Sequence, residues 1–163
     1  MNYIMVFIIF FINFVFQTTL LNNVSILGVV PNTTLVFIVV FTFLYKEKYG
    51  LFYGLFFGFI QDIFFGNIIG ISAFMYFTTA LIVYEVKEYI FKDTLLSPVL
   101  LMVLVSLYYH LGYWLMSKLF GLDIQFISIL KDFVIIEVLY NVLVTIILYK
   151  ILYRKFYTHR NYS

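Results

Sequence analysis

Gly50-Leu51-Phe52-Tyr53-Gly54-Leu55-Phe56-Phe57-Gly58-Phe59-Ile60-Gln61-Asp62-Ile63-Phe64-Phe65-Gly66 is the stretch on which the fold turns. Gly50, Gly54 and Gly58 recur at four-residue spacing, so on a helix they share one face and let another backbone come close. Their neighbours are apolar up to Asp62, and a carboxyl group in hydrocarbon needs a partner or a proton. The run reads as a membrane helix with a packing face and one polar feature that must be explained.

Working outward, the rest of the chain is as apolar as this helix. Hydrophobic residues make up 64% of the chain and charged residues 11%, where soluble domains carry ~25% charged residues. A soluble globule of 163 residues cannot hide that much apolar surface. There is room for roughly six spans of ~20 residues joined by short connections. The expected architecture is therefore an all-α integral membrane protein, a compact bundle of about six transmembrane helices forming one transmembrane domain over residues 1–163. Cysteine is absent, which removes disulfides, thiol nucleophiles and thiolate metal sites. The apolar amino terminus lacks a basic segment before it and a small-residue cleavage site after it, so it reads as a retained span.

Charges and helix breakers mark the spans. The first runs from Tyr3 to Leu21, ending at Asn22-Asn23, and the second from Asn32 to Tyr45, started by Pro31 and closed by Lys46-Glu47-Lys48. The third covers Tyr49 to Asp62, followed by a turn containing Gly66 and Gly70. The fourth, fifth and sixth cover Ile71 to Tyr84, Leu95 to Met116 and Phe133 to Tyr153. The charged run from Glu85 to Asp93 is expected to be a solvated loop. Spans two and three are short for a hydrocarbon core of ~30 Å, so either their ends are drawn inward or the flanking apolar segments lie at membrane depth.

Orientation follows from the basic residues. With an even number of spans and both termini cytoplasmic, one side carries Lys46, Lys48, Lys87, Lys92, Lys150, Arg154, Lys155 and Arg160, and the other only Lys118 and Lys131. Such asymmetry is the positive-inside signature. Counting ~1.5 Å per residue from these ends, Asp62, His110 and Glu137 fall toward the outer side, with Gln17 and Asn141 near the same level. A buried polar cluster of Asp62, His110, Glu137, Asn141 and Gln17 is expected there.

Two roles suit the cluster. Asp62 can pin the turn after the third helix by accepting backbone N–H bonds while Glu137 and Asn141 hold helices together; alternatively the cluster is a site for a partner, lipid or solute. His110 has no second histidine within a span, so an interhelical hydrogen bond suits it better than a metal site. No phosphate loop, zinc-protease helix or nucleophile elbow occurs, so no enzyme activity, cofactor or metal is expected. The basic tail is short and juxtamembrane, which suits anionic lipid and not nucleic acid.

The order Pro31-Asn32, an apolar span, then Gly50, Gly54, Gly58, Asp62, Gly66 and Gly70 followed by Ile71-Ser72-Ala73-Phe74 resembles the MreD family of rod shape-determining membrane proteins. The close match covers Pro31 to Phe74, and the remainder agrees in hydropathy. Asn32 departs from the family, which often has an acid after the proline. The resemblance implies a non-enzymatic scaffold subunit of the cell-elongation machinery in the bacterial inner membrane. Its implied partners are MreC, a protein with one span and a large outer domain, together with MreB, RodA and a class B transpeptidase. It also implies likeness in fold to the S components of energy-coupling-factor vitamin transporters, hence an alternative role as a solute-binding transporter subunit. Under the scaffold role, Gly50, Gly54 and Gly58 are expected to dock a partner helix.

Overall fold

The computed structural model describes residues 2–19, 25, 28–45, 48–90, 94–122 and 134–160, the last six by backbone alone. Leu21, Asn22, Asn23, Lys46, Glu47, Lys92, Asp93, Lys131 and Phe133, used above as boundaries and orientation charges, lie outside the described residues. Six helices are present among the described residues: α1 (Tyr3–Thr19), α2 (Thr33–Leu44), α3 (Tyr49–Phe65), α4 (Ile71–Val86), α5 (Leu96–Leu119) and α6 (Ile135–Arg160). Two of them, α5 and α6, are long and apolar enough to cross a membrane, and the other four are shorter apolar helices.

The shortest helix is the centre. α2 has 12 residues, 11 of them buried, and its apolar residues run all round the helix, as a helix with no solvent face requires. At ~1.5 Å per residue it is roughly 18 Å long, well short of a hydrocarbon core of ~30 Å. Non-helical backbone at membrane depth survives only where protein satisfies it, and both ends of α2 are satisfied in that way. At its start, the Asn32 side chain accepts a 3.0 Å bond from the Leu35 N–H. At its end, the Lys87 ammonium donates to the carbonyl oxygens of Thr42 at 3.2 Å and Tyr45 at 2.8 Å.

Lys87 corrects the expectation of a solvated loop from Glu85 onward. It is 2% exposed, lies 4.2 Å from the centre of the Tyr84 ring, and sets a positive charge where the helix dipole of α2 is negative. Glu85, Glu88 and Tyr89 are exposed as expected. Lys87→Met keeps the apolar stem but leaves two carbonyls without their donor, at roughly 1–3 kcal/mol each. The variant is expected to lose about 3 kcal/mol in denaturant titrations followed by helix circular dichroism, with Lys87→Arg losing less. A methionine variant as stable as the parent would show that water serves these carbonyls.

The outer helices wrap α2 with their polarity inverted relative to a soluble protein. Along α6, Ile135, Leu139, Leu143, Ile147 and Ile151 recur every four residues and are all exposed, whereas Asn141 and Thr145 are fully buried. Along α5, Leu100, Leu104, Leu107, Leu111 and Leu115 are exposed while Ser106 is fully buried. Polar inside and aliphatic outside is the arrangement that hydrocarbon selects and water opposes. α1 joins the bundle through rings: Phe10 meets Phe41 of α2 and Tyr53 of α3, with ring centroids 5.2 Å apart in each case. The Tyr53 hydroxyl also donates to the Tyr3 carbonyl at 2.6 Å. Tyr3 packs on Tyr49 and Tyr149 on Phe43, so the start of α1 and the later part of α6 lie at the end of the bundle where α2 finishes.

Candidate functional site

α3 and α4 form an antiparallel pair around the glycine stripe. A Cβ on Gly58 would sit 2.6 Å from Ala73 Cα and 2.8 Å from Ala73 N, and one on Gly54 would sit 3.2 Å from the Tyr76 carbonyl oxygen. One on Gly50 would strike the Thr42 hydroxyl of α2. All three glycines are buried. The stripe is thus a close-approach surface, but α2 and α4 of the same chain already occupy it. This corrects the expectation that Gly50, Gly54 and Gly58 dock a partner helix: in a chain with so short a central helix, the surrounding helices need the small residues to close on it. Gly112 of α5 plays a similar part unforeseen in the sequence, since a Cβ there would strike the Met75 side chain.

Asp62 ends this interface. Helix α4 begins at Gly70, whose φ of 106° lies in the left-handed region, and glycine supplies no capping side chain. The Asp62 carboxylate fills that role from the preceding helix, accepting from the N–H groups of Gly70 at 2.9 Å, Ser72 at 3.1 Å and Ala73 at 3.2 Å. Gly66 closes α3 by donating to the Asp62 carbonyl at 3.0 Å, and a Cβ there would lie 2.8 Å from the Asp62 backbone. With three backbone donors and 1% exposure, the carboxylate is committed to the turn.

Two other expected cluster members, Gln17 and Asn141, lie at the start of α2, each with its own partner. Gln17 Oε1 accepts from the Thr34 N–H at 2.7 Å and from the hydroxyls of Thr33 at 2.9 Å and Thr34 at 2.8 Å, so α1 caps α2. Asn141 of α6 accepts from the Asn32 N–H at 2.9 Å and donates to Ser106 of α5 at 3.3 Å. The Tyr76 hydroxyl of α4 reaches Asn32 Oδ1 at 2.8 Å and Gln61 Oε1 at 3.0 Å. Asn32 serves as an acceptor, a task an amide oxygen performs as well as the acid its position often holds in the resembled family. Asn13, Ser106 and Tyr76 were not anticipated; a polar or hydroxyl residue inside an apolar span was the available signal.

His110 and Glu137 face each other between α5 and α6. Nε2 lies 3.3 Å from Glu137 Oε1, yet the imidazole nitrogen is buried without a hydrogen bond. The distance suits an ion pair while the alignment does not suit a hydrogen bond, so the geometry is an approach and not a completed bond. Beside it, Gln61, Phe65, Ser72, Tyr109, His110 and Tyr113 line a cavity of about 210 Å³. A second, almost wholly apolar groove of about 420 Å³ runs over α2 between α1 and α6, bordered by Ile9, Ile12, Phe16, Pro31, Phe37 and Val144. No group of three metal-ligating side chains stands together among the described residues.

Among known families, the model described as rod shape-determining protein MreD matches residues 1–159, nearly the whole chain. No curated protein and no solved structure matches the chain.

Proposed function

Because the chain belongs to the MreD family and so is a membrane protein of rod shape determination, we propose that it is a non-enzymatic scaffold subunit that binds MreC and supports peptidoglycan synthesis along the side wall. In this proposal the six helices cross the bacterial inner membrane with both termini cytoplasmic, as one domain. The shared end of the bundle at which α1 starts and α6 finishes supports an even number of crossings, and Lys48, Lys87, Lys150 and Arg154 near that end favour the cytoplasm. MreB, RodA and a class B transpeptidase belong to the larger assembly on the strength of the family alone.

The apolar groove carries the MreC reading. With the glycine stripe closed by α4, the groove over α2 is the concave apolar surface able to seat a single transmembrane helix, and its walls at Ile12 (60% exposed) and Phe16 (48% exposed) face away from the core. A protein with no catalytic constellation acts by holding a partner and biasing its position. Ile12→Trp, at a wall position 60% exposed, should fill the groove without touching buried contacts. Co-purification of MreC is expected to fall about tenfold or more, roughly 1.4 kcal/mol, at unchanged protein level and unfolding midpoint. Undiminished MreC recovery would place the contact elsewhere.

The transporter alternative is disfavoured by size. The polar cavity of about 210 Å³ is smaller than the ~300–1,000 Å³ of sites that enclose drug-sized ligands, which favours the scaffold reading.

A further inference from the structure

We propose that the cavity between α3, α4 and α5 binds a primary ammonium group, a property independent of how MreC is held. At ~30 Å³ per water molecule the space holds about seven waters, enough for a head of a few non-hydrogen atoms. The lining contains no lysine or arginine; it offers the Gln61 carboxamide, the hydroxyls of Ser72, Tyr109 and Tyr113, the His110 imidazole and the Phe65 ring. Tyr109 and Tyr113 stack with centroids 6.1 Å apart, and ring faces attract cations.

The charges beside the cavity have one sign. Glu137 stands 3.3 Å from the lining His110, and Asp62 accepts from the N–H of the lining Ser72 at 3.1 Å. The α4 N-terminus compensates Asp62, while Glu137 faces His110 across a misaligned 3.3 Å gap. His110 Nε2 is buried at this cavity without a hydrogen bond. A primary ammonium brings three donors, which suit Nε2, Gln61 Oε1 and a hydroxyl oxygen, and its charge offsets that of Glu137. A trimethylammonium group brings charge without donors and leaves Nε2 unmet; a neutral diol brings donors without charge. The ammonium can come from a soluble amine or from the headgroup of phosphatidylethanolamine.

Isothermal titration calorimetry reads binding at the cavity directly. In phosphatidylcholine nanodiscs, the full-length protein titrated with ethanolamine is expected to give a saturable change, at least tenfold weaker with choline and absent with ethylene glycol. His110→Phe and Gln61→Leu are each expected to weaken ethanolamine at least tenfold, judged on whichever variant keeps the parent unfolding midpoint. Repeating the titration in phosphatidylethanolamine nanodiscs separates the sources: loss of the response means that the headgroup already fills the site, and an unchanged response means that a free amine is the ligand, either outcome upholding the site. No saturable change in phosphatidylcholine, an equal response to ethylene glycol, or undiminished affinity in a folded variant would overturn the proposal and leave a water-filled space.

Discussion

Gly58→Ala is expected to cost the protein on the order of 3 kcal/mol, while Gly54→Ala leaves it within about 1 kcal/mol of the parent, although both add one methyl group to the same helix face. The difference lies in what each methyl meets. At position 58 it arrives 2.6 Å from the Cα and 2.8 Å from the N of Ala73, with the Ser72 carbonyl oxygen at 2.9 Å. These are backbone atoms of α4, so relief requires the whole helix to move, and that movement would pull Ser72 and Ala73 from the Asp62 carboxylate. At position 54 the nearest atoms stand at 3.2 Å and 3.3 Å, which a shift of a few tenths of an ångström relieves, and helix propensity returns ~0.5–1 kcal/mol when glycine becomes alanine. Gly58→Leu should not accumulate as folded protein. Denaturant unfolding of the purified variants decides the matter without any partner present. Equal stability of the two alanine variants would mean that the α3–α4 interface is looser than described, and would reopen the stripe to an outside helix.

What the sequence made legible follows the same division between local chemistry and assembly. The helices were readable because hydropathy and breakers are local, and all six expected spans start within two residues of the helix found: Tyr3, Tyr49 and Ile71 coincide with the first residues of α1, α3 and α4. The stripe announced close packing, since only small side chains at four-residue spacing produce it. It could not say whose helix would fill the groove, because a self-contact and a partner contact require the same residues. Asp62 was legible as a cap because α4 starts at a glycine, which has no capping atom of its own. Lys87 was hidden for the opposite reason. It sits in a charged run of ordinary solvent-loop composition, and its burial depends on α2 ending early enough to leave two carbonyls within its reach. Rise per residue gave the polar cluster one expected level, but depth does not pair residues around a bundle. Gln17 went to α2, Asn141 to Asn32 and Ser106, and His110 to Glu137.

Asp62→Ala is the substitution expected to do most harm. It removes one side chain and strands three backbone N–H groups, those of Gly70, Ser72 and Ala73. A buried donor without a partner costs roughly 1–3 kcal/mol, so the set amounts to about 3–9 kcal/mol, comparable with the ~5–15 kcal/mol that holds a whole domain. Loss of the negative charge from a helix N-terminus adds up to ~2 kcal/mol in a partly buried setting. Gly66 and Gly70 have no side chains to take its place, and Asn67 of the same turn is exposed. Asp62→Asn separates the two contributions. It keeps one carbonyl oxygen for the N–H groups but loses the charge and the second acceptor, and should fall between alanine and the parent. Asp62→Glu carries the charge on a longer stem into a site closed on one side by the Gly66 backbone, so charge alone should not rescue it. The order of folded yield in membranes is therefore parent, asparagine, then alanine. An alanine variant that unfolds within about 1 kcal/mol of the parent would mean that water reaches the α4 N-terminus and that the acid serves something other than the turn.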